Sequence, residues 1–218
     1  MSNDVFLTGC DKNTEWMLKW FYSEYLQHNS TPMVFANFGV TDEMLSWVND
    51  NFHEVLDMTK ETGKGWFLKP ISMLTASKKY DKVCWIDTDI HVLKYIGDIF
   101  RYSKADKLGM VQDRPWSKRH GEMWYNSGVV LVEGTPRILH EWIEAIKTNP
   151  SKGDQETLHY YLGTPLNQDI FIEPLSHIYN NLRLDIIDGI DNPNKRVMHW
   201  TGNKGKDVIR KLMSKKNG

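Results

Sequence analysis

The sequence predicts an α/β fold in which helices flank a mostly parallel sheet. Short apolar runs of strand length alternate with polar turns and stretches of helix length along most of the chain. The run Val83-Cys84-Trp85-Ile86 has little polar alternation, as a strand covered on both faces requires. The 218 residues are 40% apolar, with nine Trp, nine Tyr and eight Phe. A chain of this length buries roughly 70% of its unfolded surface, so it needs neither disulfides nor a structural metal to hold a core.

The elements follow in order. Val5-Phe6-Leu7-Thr8 reads as a strand, Gly9 to Asn13 as a polar turn, and Thr14 to His28 as a helix. Met33 to Ala36 is a second strand, and Thr41 or Asp42 can cap a helix reaching Asn51. His53 to Leu56 is a weaker strand signal. Lys60 to Gly65 is a polar loop, and Pro70 suits the first turn of a helix ending near Lys79. Beyond the Val83–Ile86 strand, further strands are predicted at Leu108–Val111, Val129–Val132, Ile170–Ile172 and Val197–Trp200. Helices are predicted at Pro136–Thr148, Gln155–Leu162 and Val208–Met213. Arg114 to Glu122, between two strands, has the composition of a mobile lid.

Charge and cysteine content narrow the classes. Lys plus Arg number 27 against 28 Asp plus Glu, so the chain lacks the field with which nonspecific nucleic-acid binders neutralise phosphates, and no nucleic-acid partner is expected. Cys10 and Cys84 fit neither a zinc ligand set nor a disulfide framework. No apolar run approaches the ~18 residues of a transmembrane helix, and Met1-Ser2-Asn3-Asp4 carries no signal-peptide pattern. A cytoplasmic protein without a transmembrane segment is therefore expected, and the absence of linkers or repeats predicts one domain over residues 1–218.

The chemistry-bearing residues cluster at strand ends. Asp87-Thr88-Asp89 directly follows the Val83–Ile86 strand. Extended residues i and i+2 point to one side, so Asp87 and Asp89 can converge on a hard divalent cation, Mn²⁺ or Mg²⁺, which in turn neutralises phosphates. The same tripeptide is also compatible with an acidic surface turn. Asn126-Ser127-Gly128 precedes the Val129–Val132 strand and is either an ordinary turn or a set of sugar-binding amides. Asp154, before Gln155 and Glu156, fits a helix cap or a contact to a sugar hydroxyl. His199 begins a segment, His199 to Lys206, whose glycines and lysines suit a pyrophosphate, although a buried His is often simply a hydrogen-bonded core residue. Lys204, Lys206, Arg210, Lys211, Lys215 and Lys216 make the C-terminal stretch basic, which suits an anionic partner or plain solvation. Trp116, Trp124, Tyr125 and Trp200 can stack on sugar rings, Trp124 and Trp200 foremost.

In this order the pieces resemble the family 8 glycosyltransferases, the glycogenin-like and lipopolysaccharide galactosyltransferase-like enzymes. The matching blocks are Val5–Asn13, Asp81–Asp89, Trp124–Leu131 and His199-x-x-Gly202 after Asp154-Gln155, spread over most of the chain. The resemblance implies a GT-A (Rossmann-like) fold with a mostly parallel mixed central sheet flanked by helices. It also implies a retaining, Mn²⁺-dependent hexosyl transfer from a nucleotide diphosphate sugar, a UDP-sugar in most relatives. The acceptor is left open among carbohydrate, glycolipid and protein.

By the same resemblance Asp87, Asp89 and His199 hold the metal, with Mg²⁺ as an alternative ion. Thr8 and Asp11 lie at the uracil and ribose end, while Lys69, Asp87, Thr88, Asp89 and Gly202 face the donor. Asn126, Asp154 and Gln155 stand beside the donor sugar, Gln155 stabilising the front of the sugar as the acceptor attacks from the leaving-group face. The family pattern places Lys six residues after the His, followed by Pro-Trp; here that position is Gly205 and the Pro-Trp is missing, so Lys204 or Lys206 must substitute. Two other functions fit parts of the pattern, a catalytically silent nucleotide-sugar or glycan-binding module and a metal-dependent phosphohydrolase.

Overall fold

A computed structural model describes residues 3–63 and 65–216. Met1 and Ser2 of the chain start, Lys64 of the predicted Lys60–Gly65 loop, the last two residues and the side chain of Lys216 lie outside the described residues.

The first half alternates strand and helix as the sequence pattern predicts: β1 (Asp4–Cys10), α1 (Leu18–Leu26, entered through a 3-10 turn at Glu15–Met17), β2 (Met33–Asn37), α2 (Asp42–Asn51) and β3 (Glu54–Asp57). Thr41 caps α2 by accepting from the Met44 amide. Next come α3 (Lys69–Ser77), with Pro70 in its first turn, β4 (Lys82–Ile86) and a short β5 (Ile90–Val92).

The second half contains β6 (Leu108–Gln112), α4 (Arg114–His120), β7 (Tyr125–Glu133), α5 (Arg137–Thr148) and α6 (Asp154–Leu162). They are followed by α7 (Pro165–Phe171), β8 (Ile172–Leu175), β9 (Asn181–Leu182), α8 (Arg183–Ile187), β10 (Val197–His199) and α9 (Gly202–Lys216).

Three local expectations are corrected. The strand predicted at Ile170–Ile172 starts only at Ile172, because Thr164 caps a helix that Pro165 opens and that runs to Phe171. The lid predicted over Arg114–Glu122 is α4, capped by Asp113 and tied to the α8 region by Arg114–Asp185 and Arg119–Asp188 ion pairs. The helix predicted at Val208–Met213 begins six residues earlier, at Gly202, so the segment from Gly202 to Lys206 forms its first turn.

Among the described residues, seven strands form one sheet in the order β3-β2-β1-β4-β7-β6-β8, and β5-β10-β9 form a smaller one. Neighbours in the large sheet are parallel except around β7, which runs antiparallel to both β4 and β6. Alternate residues of β1 and β4 bury on opposite faces. Phe6, Cys84 and Ile86 meet α1 and α2 through Phe21, Tyr25 and Val48. Val5, Leu7, Val83 and Trp85 belong to the opposite layer with Met73 of α3 and Leu139 and Trp142 of α5. Burying both faces explains why these strands read as continuous apolar runs. Cys10 and Cys84 are free thiols within this core.

The sheet order reverses at β1/β4, and in such sheets ligands bind beyond the carboxyl ends of strands at the reversal. Because β7 is antiparallel to β4, its amino-terminal end lies beside the carboxyl end of β4: Ile86 pairs with Val129, and the Asp87 amide donates to Gly128 O. The β6–β7 register jumps between Met110 and Val111, whose partners are Val130 and Asn126. Such an irregularity removes Ser127 and Gly128 from ladder pairing with β6 and re-aims the strand beside the cleft.

Candidate active site

The cleft beyond β4 comprises two adjoining hollows. One, of about 370 Å³, is lined by Asp11, Phe38, Trp85, Thr88 and Lys206 among others. The second, of about 330 Å³, is lined by Asp113, Trp116, Asn126, Asp154, Gln155, His199 and Gly202 among others. Trp66, Lys69, Asp87 and Asp89 border both.

At the divide stands a carboxylate–imidazole cluster. One ligand atom from each of Asp87, Asp89 and His199 lies within 4.8 Å of the others. His199 ends β10, where antiparallel pairing sets it against Ile90 and the Trp200 amide donates to Asp89 O. The smaller sheet therefore carries the imidazole back to the acidic turn. His199 Nε2 is 3.0 Å from Asp89 Oδ1 and 3.8 Å from Asp87 Oδ2, while Nδ1 is 3.1 Å from Asn180 Oδ1. The close approach depends on Gly128, since a Cβ there would lie 2.2 Å from His199 Cε1. Two carboxylates and an imidazole whose other nitrogen is already engaged make a donor set suited to a divalent cation.

The charges are tightly interdependent. Burial lifts the Asp87 carboxyl above the usual carboxylate range despite the nearby Lys69 ammonium. At Asp89 burial acts the same way, but the His199 imidazolium prevails and holds its pKa down. Burial opposes a charge on His199, and Asp89 and Asp87 overcome it, so its pKa is raised.

Lys69, which is 2% exposed, pairs with Asp154 at 2.9 Å and Asp87 at 3.1 Å and donates to Ser127 O at 2.9 Å. Burial disfavours the ammonium, yet the two carboxylates more than offset it and raise its pKa. Asp87 also accepts from Trp85 Nε1 at 2.6 Å. The cap of α6 is Gly153, with no side-chain capping bond, so the Asp154 carboxylate is committed to Lys69 rather than to helix capping.

Beside this pair lies an amide network. Asn126 Nδ2 donates to Asp113 Oδ2 and Gln155 Oε1, Gln155 Nε2 donates to Asp113 Oδ2, and Asn126 Oδ1 accepts from the Gly128 amide and from Asn180 Nδ2. Burial raises the Asp113 pKa against these hydrogen bonds. Asp113 and Asn180 were not singled out from the sequence. The cap position ahead of Arg114-Pro115 is a local signal for Asp113, whereas Asn180 enters only through tertiary pairing.

The remaining predicted residues are placed as follows. Asp11 lines the first hollow while its carboxylate accepts from Asn13 and Thr14, and Thr88 is a buried part of the same wall. Thr8, in β1, is fully buried and is not part of either lining, with no hydrogen-bond partner for its Oγ1 among the described residues. Lys206 faces the first hollow; Lys204 is exposed and is not part of either lining. Gly205 packs against Trp200, where a Cβ would stand 1.9 Å from the carbonyl oxygen. Trp124 cannot serve as an open sugar platform, being 1% exposed and stacked on His159 with ring centroids 3.6 Å apart. Trp66, 57% exposed between Gly65 and the start of α3, is the open indole at the cleft.

A protein-family model described as nucleotide-diphospho-sugar transferase matches residues 47–213. Inositol phosphorylceramide glucuronosyltransferase 1 of Arabidopsis thaliana is 26% identical over 207 residues, covering 75% of this chain and 36% of its own length. The chain thus spans about a third of that curated relative. Among solved structures, galactosyltransferase LgtC in complex with donor and acceptor sugar analogs is 13% identical, with a TM-score of 0.67 over 97% of this chain and 95% of that one. Glycosyltransferase GlyE of Streptococcus pneumoniae is 15% identical, with a TM-score of 0.69 over 99% of this chain and 64% of its own. Mouse xyloside xylosyltransferase 1 is 14% identical, with a TM-score of 0.60 over 92% and 98%. These likenesses establish the GT-A fold. No helix among the described residues is long and apolar enough to cross a membrane.

Proposed function

The chain belongs to the nucleotide-diphospho-sugar transferases, and from that membership we propose that residues 1–218 act as one metal-dependent, retaining hexosyltransferase domain of the family 8 type, using a UDP-sugar donor. The observation that carries the proposal is the convergence of Asp87, Asp89 and His199 between two hollows of suitable chemistry. In this reading the first hollow takes the nucleoside, with Asp11 and Thr88 on its wall and the buried Thr8 in the strand that leads to Asp11. The second takes the transferred sugar against Asn126, Asp154 and Gln155.

Asp87, Asp89 and His199 would hold Mn²⁺, or Mg²⁺ in its place. When bound there, such an ion stabilises the negative charge that develops on the diphosphate as the glycosidic bond breaks. Lys206 adds positive charge at the first hollow. The first turn of α9, from Gly202, presents backbone amides of the kind that favour phosphate. Lys69 keeps Asp87, at the divide, and Asp154, at the second hollow, in place.

Gln155 Oε1 is fixed by Asn126 Nδ2 at 3.0 Å and the Ser127 amide at 3.3 Å. That holds a carbonyl-type oxygen where positive charge would grow on the anomeric carbon as the acceptor enters from the leaving-group face. Asp113, Asp154 and Glu156 give the sugar end an acidic lining, which suits the hydroxyls of an uncharged hexose. Trp66 offers a ring face to the donor or the acceptor.

The test is isothermal titration with UDP, UDP-galactose, UDP-glucose and UDP-glucuronate, with and without Mn²⁺, together with donor-hydrolysis assays. Metal-dependent binding and slow hydrolysis of a neutral UDP-hexose are expected, both abolished by Asp89→Ala. Donor binding unaffected by metal or by Asp89→Ala would refute the metal assignment. Metal-dependent binding without hydrolysis or transfer to any acceptor tried would leave the silent binding module as the better description.

A further inference from the structure

The geometry points to Asn180 as a positioning residue that fixes which nitrogen of His199 is available to a metal, acting through a hydrogen-bond chain whose polarity is set by the Gly128 amide and Asp113. This inference rests on the metal assignment made above. It starts from a side chain with 0% exposure that belongs to neither hollow and joins the imidazole to the sugar-end amides.

The polarity follows from partners that have no choice of role. The Gly128 amide can only donate, so the group of Asn126 facing it at 2.9 Å is the carbonyl oxygen. At the other end of the same side chain, the Asp113 carboxylate receives donors at both oxygens, the Trp116 amide on Oδ1 and Asn126 and Gln155 on Oδ2. Two independent constraints therefore orient Asn126 the same way. Its oxygen then demands a donor from Asn180, which presents Nδ2 at 2.8 Å.

The remaining Asn180 atom, Oδ1, faces His199 Nδ1 at 3.1 Å and can only accept. The proton of a neutral His199 must consequently sit on Nδ1, which leaves the Nε2 lone pair directed at Asp87 and Asp89. A histidine that ligates a metal through one nitrogen needs its other nitrogen held as a donor to a fixed acceptor, and removal of such a partner typically weakens metal binding 10–100-fold. Here that acceptor is a neutral amide, and its orientation is determined two residues further along the chain.

Variants at Asn180 separate this role from simple packing. Asn180→Leu preserves approximate volume and removes the acceptor. It is expected to weaken Mn²⁺ binding by 10–100-fold in calorimetric titration, measured both alone and with UDP present. Asn180→Asp keeps an acceptor for Nδ1–H but turns its second oxygen toward Asn126 Oδ1, so it is expected to recover part of the affinity lost in Asn180→Leu. Long-range ¹H–¹⁵N spectra of the Mg²⁺-loaded protein should show His199 as the Nδ1–H tautomer. Asp113→Asn removes only one of the two constraints on Asn126 and leaves the Gly128 amide in place, so the Nδ1–H tautomer should persist in it. Asn180→Ala, which also lacks the acceptor, serves as the second variant if Asn180→Leu does not fold. Wild-type Mn²⁺ affinity in a folded Asn180→Leu protein, failure of Asn180→Asp to recover any of the lost affinity, or an Nε2–H tautomer in the Mg²⁺-loaded protein would overturn the inference. A wild-type protein that binds no Mn²⁺ would instead overturn the metal assignment, and this inference with it.

Discussion

Gly128→Ala tests the site with the smallest perturbation the fold allows, one methyl group. A Cβ at position 128 would stand 2.2 Å from His199 Cε1 and 2.5 Å from Nδ1, and 3.0 Å from Asn126 Oδ1. A relaxed carbon–carbon contact is roughly 3.5 Å, so the imidazole would have to withdraw by about 1 Å. Position 128 has little freedom to yield instead, because Gly128 O accepts from the Asp87 amide and Gly128 N donates to Asn126. Metal–ligand distances tolerate only about ±0.2 Å, so a displacement of that size removes His199 from the ligand set. The expected result is a loss of Mn²⁺ affinity of about 100-fold or more, with a modest fall in melting temperature because the methyl group strains one buried contact. Titration calorimetry with Mn²⁺ and a thermal melt in chelator measure the two effects separately. Wild-type Mn²⁺ affinity in a folded Gly128→Ala protein would refute the claim that His199 must stand against residue 128 to bind the ion.

The other predictions concern the charges around this contact. Lys69→Met leaves Asp87 and Asp154 without their shared buried cation, a loss of about 3–5 kcal/mol. For a chain of this size that is a fall of roughly 10 °C in melting temperature, partly recovered by saturating Mn²⁺ beside Asp87. Gly205→Lys restores the family's lysine position but forces a Cβ to within 1.9 Å of the Trp200 carbonyl oxygen. It should lower thermal stability by about 2 kcal/mol or more and give no gain in donor affinity, as read by melting and by UDP titration. Lys206→Ala should raise the KM for the donor about tenfold while Lys204→Ala changes it little, since only Lys206 lines the cleft; equal effects would remove the distinction.

What could be read in advance depended on how local the cause was. β4 and its acidic turn were legible because a strand buried on both faces writes itself as an unalternating apolar run, and the residues that end it must face a strand mouth. The α3 start at Lys69-Pro70 and the α2 cap at Thr41 were legible through their first-turn residues. The segment from Gly202 to Lys206 was misread because two glycines argue against a helix by propensity. Tertiary packing of Ile209, with Leu212 and Met213, supplies the stability that propensity lacks. Asn180 left no local signal, since its importance arises from β9 lying parallel to β10 and placing it beside His199. Trp124 looked available for the same reason that any Trp does, and only the surrounding rings of Trp116, His120 and His159 show that its faces are taken.

The proposed function also accounts for an imbalance in the cleft. Asp87, Asp89 and Asp154 converge there, with Asp113 behind them, and the buried ammonium set against them is that of Lys69. The protonated His199 supplies a second positive charge only by occupying Nε2, the atom it would offer to a metal. A diphosphate approaching this lining would meet like charge at short range, which costs more in a partly desolvated site than in water. Lys152, Lys206 and the first turn of α9 lie beside the hollows, but Asp11 and Glu156 line them too, so these groups offset only part of that repulsion. A divalent cation between Asp87 and Asp89 removes the conflict for both partners at once, neutralising the carboxylates and the incoming phosphates. Nucleotide affinity should accordingly depend on the metal far more steeply than on either lysine of the 204–206 segment, and this ranking follows from the charge count without reference to the sugar or the acceptor.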